Sequence, residues 1–202
     1  MSLALAAAGR VRGTAILIIA LAAASSCGTS APAGKPAPAG SSAAPTPSAP
    51  GAAASCDTGT WRSAPVSATH PVAAPTVPVV TAVRTAAHPE CGYDRLVLDV
   101  AGPVPGYDMR YVTQVSADPS GEPIALPGHS FLLVTLRPAQ AHGEAGAPTI
   151  VRSMRVLGYP VLKSYAVAGD FEGVVTVALG LARTTSIRVG ELPGHLYIDV
   201  RA

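Results

Sequence analysis

Apolar residues in the second half of the chain occur in short alternating runs, separated by turns that contain glycine and proline. In R-L-V-L-D-V, the apolar Leu96, Leu98 and Val100 share one side of an extended chain, whereas Arg95 and Asp99 share the other. The final run, H-L-Y-I-D-V, has the same alternation. A period of two predicts β-strands with one buried face.

Nine segments from residue 79 onward have this character, and no segment shows a long helical period with capping residues. They are residues 79–86, 95–100, 107–115, 131–136, 149–156, 162–168, 174–181, 186–191 and 196–201. Short strands with Gly and Pro turns between them are typical of sandwiches and barrels. We predict an all-β fold, an antiparallel β-sandwich of about 8–9 short strands.

The N-terminal pattern is that of an export signal. Arg10 and Arg12 precede an uncharged run at residues 13–24, which is too short for a transmembrane helix of about 20 residues. Small residues follow, up to Cys27. We expect residues 1–26 to be a signal peptide.

The residues around the expected cleavage site resemble a bacterial lipobox, in which the cysteine after the cut receives a diacylglyceryl group. Ala24 stands where leucine is usual, and Gly28 follows Cys27. We expect Cys27 to be lipidated, with acyl chains such as palmitate holding the protein on the outer face of the cell membrane. An ordinary cleaved signal and an uncleaved anchor are the alternatives.

Three further segments follow the signal. Residues 27–55 consist almost wholly of small residues and proline, with Lys35 as the one charge, so they cannot bury enough surface to offset ordering entropy. We expect a disordered tether. Residues 56–78 contain several prolines and are expected to be extended and packed on the domain. Residues 79–202 form the domain itself.

Two cysteines remain after Cys27 is assigned to the lipid. An exported domain lies in an oxidising space, so Cys56 and Cys91 are expected to form a disulfide. Closing a loop of about 35 residues contributes about 3.8 kcal/mol in the chain-entropy model. The bond would attach the end of the tether, near Trp61, to the domain. A metal or catalytic role is disfavoured because no C-x-x-C motif or paired histidine accompanies either cysteine.

Charge and motifs restrict the function. Without Arg10 and Arg12 the chain is formally neutral, which disfavours nucleic acid as a partner. The sequence contains no nucleophile elbow, zinc-protease motif, phosphate loop or dinucleotide fingerprint, so we expect no enzyme and no cofactor.

Two groups of side chains are candidates for a metal site and a catalytic site. A zinc site of His129, His142 and Glu144 is less favoured than solvent-facing loop histidines. A catalytic pair of Asp170 and Glu172 is less favoured than a polar turn with Phe171 against the core edge. We therefore expect no metal.

Candidate ligand-binding residues lie between positions 93 and 114, where planar and polar side chains concentrate. They are Tyr93, Asp94, Arg95, Tyr111 and Gln114, with Tyr107 and Arg110 nearby. Aromatic faces stack on sugar C–H groups, and arginine holds a carboxylate with two hydrogen bonds. The alternative is a buried edge of the sandwich, in which the tyrosine hydroxyls bond to the backbone and Asp94–Arg95 or Arg95–Asp99 form solvated pairs that contribute little.

Several of these runs together resemble the AMIN-like domain of actinobacterial lipoproteins. The resemblance covers about residues 79–200 and is carried by Y-D-R-L-V-L-D-V, P-G-Y-D-M-R-Y-V-T-Q-V, S-G-E-P-I-A-L-P-G, F-L-L-V-T-L-R-P-A-Q-A-H and A-G-D-F-E-G-V-V-T-V-A-L-G-L. It implies a β-sandwich that directs proteins to the cell envelope, with peptidoglycan as the ligand.

These observations favour a lipid-anchored, non-catalytic envelope module that recognises peptidoglycan or a wall-associated component. The alternative is an adaptor that binds another envelope protein by adding a strand to a sheet edge. A hydrolase is the least favoured function, because no nucleophile, base and orienting group occur together.

Overall fold

A computed structural model of the chain describes residues 56, 59–72 and 76–202. The expected signal peptide, Cys27 and the tether lie outside the described residues. None of the described residues belongs to a helix with the length and apolar character that a membrane crossing needs.

The described part is an antiparallel β-sandwich, which confirms the predicted fold class. Its strands are β1 (Val66–Ala68), β2 (Val79–His88), β3 (Tyr93–Ala101), β4 (Gly106–Val112), β5 (Ser130–Arg137), β6 (Arg155–Val156), β7 (Leu162–Phe171), β8 (Val174–Leu181), β9 (Ile187–Leu192) and β10 (His195–Arg201). One sheet has the order β1-β4-β5-β8-β7-β6, and the other has the order β2-β3-β10-β9. A single 3₁₀ turn, Pro89–Cys91, connects β2 to β3.

The main core lies between the two sheets and follows from the alternation in the sequence. The side chains on the inner face of the four-stranded sheet include Leu96, Leu98, Leu196, Ile198 and Val200. They belong to the same buried cluster as alternate residues of β5 and β8 in the six-stranded sheet. The polar residues between them therefore occupy the outer face of the four-stranded sheet.

The outer face of the six-stranded sheet is partly covered by the connection from β4 to β5. Val115 and Leu126 of this connection belong to a second buried cluster with Ala166, Ala168 and Ala178. Small residues on β7 and β8 let the connection lie close to the sheet. For example, a Cβ added at Gly180 would lie 2.1 Å from the carbonyl oxygen of Pro127.

Two segments differ from the sequence-based strands. Only Arg155–Val156 of the predicted strand 149–156 pairs as a strand, because the start of that segment folds onto β2. There Thr149 Oγ1 donates to the carbonyl of Val80 at 2.6 Å, and Ile150 is buried. Conversely, residues 66–68 form a strand that the sequence did not predict, β1, which pairs with β4.

The structure contains the predicted disulfide between Cys56 and Cys91, whose Cα atoms are 5.5 Å apart. Cys91 ends the turn between β2 and β3. Farther along the chain, Arg62 and Ile187 exchange two backbone hydrogen bonds of 2.8 Å. These two attachments hold Trp61 over the outer face of the four-stranded sheet.

Candidate functional site

The outer face of the four-stranded sheet carries a row of alternating charges. In the strand register, Asp199 of β10 lies opposite Arg95 of β3 on one side and opposite Arg188 of β9 on the other. Arg95 binds the Asp199 carboxylate through Nε at 2.6 Å and Nη2 at 2.9 Å. Arg188 Nε donates to the same carboxylate at 2.8 Å. One carboxylate therefore holds two guanidinium groups.

This ion cluster is largely removed from water. Asp199 is fully buried, Arg188 is 2% exposed and Arg95 is partly exposed. The hydrogen bond to Asp199 is the main cause of the raised pKa of Arg95, and it outweighs the opposing effect of burial. Since two guanidinium groups share one carboxylate, the cluster has a net charge of about +1.

Aromatic rings separate the arginines of this face. The Cζ atom of Arg95 lies 4.2 Å from the ring centroid of Tyr197 and 5.1 Å from that of Tyr93. On the other side of Tyr93, Arg188 Cζ lies 4.8 Å from that ring and 4.7 Å from the Trp61 ring. These distances are those of cation–π contacts.

Arg201 extends the stack, with its Cζ atom 5.1 Å from the Trp61 ring. We call the resulting row the arginine–aromatic ladder, whose members in order are Tyr197, Arg95, Tyr93, Arg188, Trp61 and Arg201. Arg95 and Arg188 are each held between two rings and by Asp199, whereas Arg201 contacts one ring at the exposed end. The ladder is therefore preorganised before any ligand arrives.

A groove of about 290 Å³ lies at the Tyr197 end of the ladder. Its walls include Arg84, His88, Arg95, Leu192, His195 and Tyr197. A Cβ added at Gly190 would lie 2.0 Å from the Tyr197 ring, so only glycine at this position lets the ring lie against β9.

A second ion cluster borders the groove. Arg84 binds Asp99 through Nε at 2.7 Å and Nη2 at 2.6 Å, and His195 Nδ1 lies 2.8 Å from Asp99 Oδ1. The hydrogen bond from Arg84 is the main cause of the lowered pKa of Asp99, and His195 adds to it. The Asp99 carboxylate is thus already paired with Arg84 and in contact with His195.

The structure brings together only part of the predicted binding set. Tyr93 and Arg95 are on the ladder. Asp94 faces the core instead, because neighbouring residues of a strand point to opposite sides. Its Oδ2 atom accepts hydrogen bonds from the backbone N–H groups of Val161 and Leu162, and its Oδ1 has no partner among the described residues.

The remaining predicted residues belong to the other sheet and its connection. Tyr111 is half-buried and its hydroxyl donates to the carbonyl of Thr185 at 2.8 Å, while burial raises its pKa. Gln114 is exposed after the end of β4. Tyr107 donates to Glu191 at 3.0 Å; burial, followed by this hydrogen bond, raises the pKa of Tyr107 to about 12.

The alternative in which Arg95 forms a solvated pair with Asp94 or Asp99 does not describe the structure. Arg95 binds the buried Asp199, which is 104 residues away in sequence. Sequence reasoning missed Asp199, Arg188 and Trp61 as members of this site. The alternation in H-L-Y-I-D-V-R places Tyr197 and Asp199 on one face, but only the strand register shows which residues lie beside them.

Asp170, from the candidate catalytic pair, has a structural role. Asp170 is almost fully buried and its carboxylate accepts hydrogen bonds from Ala141 N at 2.9 Å and Arg152 Nη2 at 2.9 Å. His142 Nδ1 lies 2.8 Å from the same carboxylate. These bonds fasten the connection between β5 and β6.

Phe171 does not close the core edge as expected, since 48% of it is exposed.

Metal-ligating side chains do not converge in the part of the chain that the structure describes. No group of three or more His, Cys, Asp or Glu residues there has an arrangement that would hold a metal ion. On the outer face of the four-stranded sheet, several aromatic rings, arginines held by a buried carboxylate, and a groove lie together.

Comparisons with known proteins bear on the family. No curated protein matches the chain, and no solved structure matches it. The family model of the AMIN-like domain matches residues 78–202, which include all strands from β2 to β10. The chain therefore belongs to the AMIN-like domain family.

Proposed function

We propose that this protein is a lipid-anchored, non-catalytic module of the cell envelope that binds peptidoglycan or a wall-associated component. The observation that carries the proposal is the AMIN-like match over residues 78–202, because such domains are cell-wall-related binding modules. The proposed contact surface is the outer face of the four-stranded sheet.

The chemistry of this face supports a wall ligand. Tyr197 lines the groove and offers an aromatic surface for the C–H groups of a sugar. Tyr93 is only 4% exposed and acts through its contact with Arg95. Arg84 and Arg95 offer guanidinium groups that suit the carboxylates of wall peptides. Preorganised side chains lose little conformational freedom when a ligand binds.

Wall binding is tested by sedimentation. We expect the mature chain, purified in detergent, to pellet with insoluble wall material, and we expect Arg95→Ala to weaken this binding at least about tenfold, equivalent to about 1.4 kcal/mol. Arg183→Ala is the matched control because Arg183 is an exposed arginine between β8 and β9 that is not part of the ladder. Equal pelleting of Arg95→Ala and wild type, with both folded, would exclude this face; absence of wild-type binding would exclude the function.

The anchor is tested separately. We expect Cys27→Ser to release the protein into the medium or to leave an unprocessed precursor, because the acyl chains that hold it on the bilayer can no longer be attached. Mass spectrometry and membrane fractionation measure both outcomes. Recovery of Cys27→Ser in membranes at the mature size would contradict lipid anchoring.

A second candidate, an adaptor for another envelope protein, is favoured by the surface near β6. Val151, Met154 and Val156 are 54%, 41% and 67% exposed, and β6 is an edge strand of only two residues. An exposed edge beside apolar side chains suits strand addition by a partner. An adaptor would crosslink to a protein partner and would not pellet with wall material.

A further inference from the structure

We infer that the groove at the Tyr197 end of the arginine–aromatic ladder binds a small ligand through a free carboxylate, with an apolar or planar group next to that carboxylate. The inference rests on the proposed function and names the ligand chemistry of the same face.

The charges around the groove select an anion. Two arginines and two histidines line it, whereas its two nearby carboxylates are both engaged. Asp99 is bound by Arg84 and His195, and Asp199 is bound by Arg95 together with Arg188. Glu90 does not line the groove, although it lies 3.5 Å from His88, which does. The two ion clusters together contain three guanidinium groups and two carboxylates.

Arg84 has the geometry to contact a ligand directly. A guanidinium group carries five N–H donors, and the two hydrogen bonds to Asp99 come from Nε and Nη2. The side chain of Arg84 is nevertheless 57% exposed. Asp99 fixes the plane of the guanidinium group, and the remaining donors point away from that carboxylate. A ligand carboxylate can take the position opposite Asp99 with little loss of side-chain entropy.

Arg95 also lines the groove, and its positive charge attracts the same anion. Its guanidinium group is held by Asp199 and by the rings of Tyr93 and Tyr197, so its positive charge cannot move away from the groove. Both arginines thus keep their charge and their position without a ligand. A carboxylate near them is attracted electrostatically in a site that is partly shielded from water.

The rest of the groove is apolar. The Tyr197 ring, Val97 and Leu192 line it, and Leu192 is 57% exposed although it is a large hydrophobic residue. A ligand that covers Leu192 removes this apolar surface from water, which favours binding. The volume of about 290 Å³ is at the small end for a ligand site, which suits a dipeptide or a single sugar acid.

The carboxylate has two possible sources in wall material: the C-terminus of a short peptide, or an acid group on a sugar. Both present the same anion to Arg84 and Arg95. They differ in the neighbouring group, which is an aliphatic side chain in one source and a sugar ring in the other.

Ligand titrations of the mature chain test this inference, with the fluorescence of its one tryptophan, Trp61, or calorimetry as the readout. The probes are alanyl-alanine, its C-terminal amide, N-acetylmuramic acid and uncharged N-acetylglucosamine. We expect the acid of at least one pair to bind about tenfold or more tightly than its uncharged partner. The pair that shows the difference identifies the source.

Two variants locate the binding to the groove. Arg84→Gln and Leu192→Asp alter exposed side chains, and each should weaken binding of the acid about tenfold. Arg84→Gln should leave binding of the uncharged probe unchanged, whereas Leu192→Asp should weaken it to a smaller extent because the apolar contact is lost. Arg183→Gln is the matched control, since Arg183 is exposed and does not line the groove. Equal affinity for acid and uncharged probe, or unchanged acid affinity in both folded variants, would overturn the inference even if wall sedimentation succeeds. Acid binding without wall sedimentation would support the groove and exclude the proposed function.

Discussion

Replacing Asp199 with alanine should lower the free energy of unfolding by about 3–5 kcal/mol. The change leaves Arg95 and Arg188 facing each other with no carboxylate between them, and Arg188 is only 2% exposed. Breaking a buried ion pair by removing one partner has an effect of this size because the remaining charge is desolvated and unpaired. Urea unfolding followed by circular dichroism measures the difference.

Two other variants test whether the loss of stability comes from the buried charge of Asp199. Asp199→Asn keeps the volume and removes the charge, so most of the loss should remain. Asp108→Ala removes a carboxylate that is 48% exposed and 3.8 Å from Arg110, so the unfolding free energy should change by less than about 0.5 kcal/mol. A loss of under about 1 kcal/mol in Asp199→Ala would mean that the ladder does not depend on this carboxylate.

Removing the disulfide should have the second-largest effect. The double substitution Cys56→Ser and Cys91→Ser opens a loop of 35 residues. The chain-entropy model gives a loss of about 3.8 kcal/mol, so we expect the unfolding free energy to fall by about 2–4 kcal/mol, the range typical of disulfides. The unfolded chain gains conformations, while the folded sheets keep their contacts. Denaturant unfolding of the variant and of the wild type measures the loss.

Reductant supplies the control for this prediction. It should destabilise the wild type by a similar amount and leave the double variant unchanged. Trp61 fluorescence should also change on reduction, since the bond helps to hold that ring over Arg188. Wild-type protein that unfolds at the same denaturant concentration with and without reductant would contradict the role of the bond.

The sequence predicted the strands of the sandwich well where one face is buried. Leu96, Leu98 and Val100 alternate because β3 has the core on one side only, and the same holds for β10. The prediction was less accurate for residues 149–156, where apolar residues are divided between the core and the surface. Ile150 is buried whereas Val151 is 54% exposed, which no simple period describes.

The binding site was only partly predictable for a different reason. Tyr93 and Arg95 were identified because they carry suitable chemistry in a short stretch of sequence. Arg188 and Asp199 reach the same place from strands that are about a hundred residues farther along the chain, through a register that sequence alone does not give. Asp94 was predicted to bind the ligand together with Tyr93 and Arg95, but its position in the strand makes its side chain face the core.

The position of the disulfide has a mechanical consequence. Any pull on the chain before residue 56 enters the folded part at Cys56, and the covalent bond passes it to Cys91, at the tip of the β2–β3 hairpin. The segment between the two cysteines, which includes β1 and β2, therefore lies outside the path of the force. Without the bond, the same tension would act on the attachments of residues 59–62, among them the two backbone hydrogen bonds between Arg62 and Ile187, and it would reach the Trp61 ring before β2.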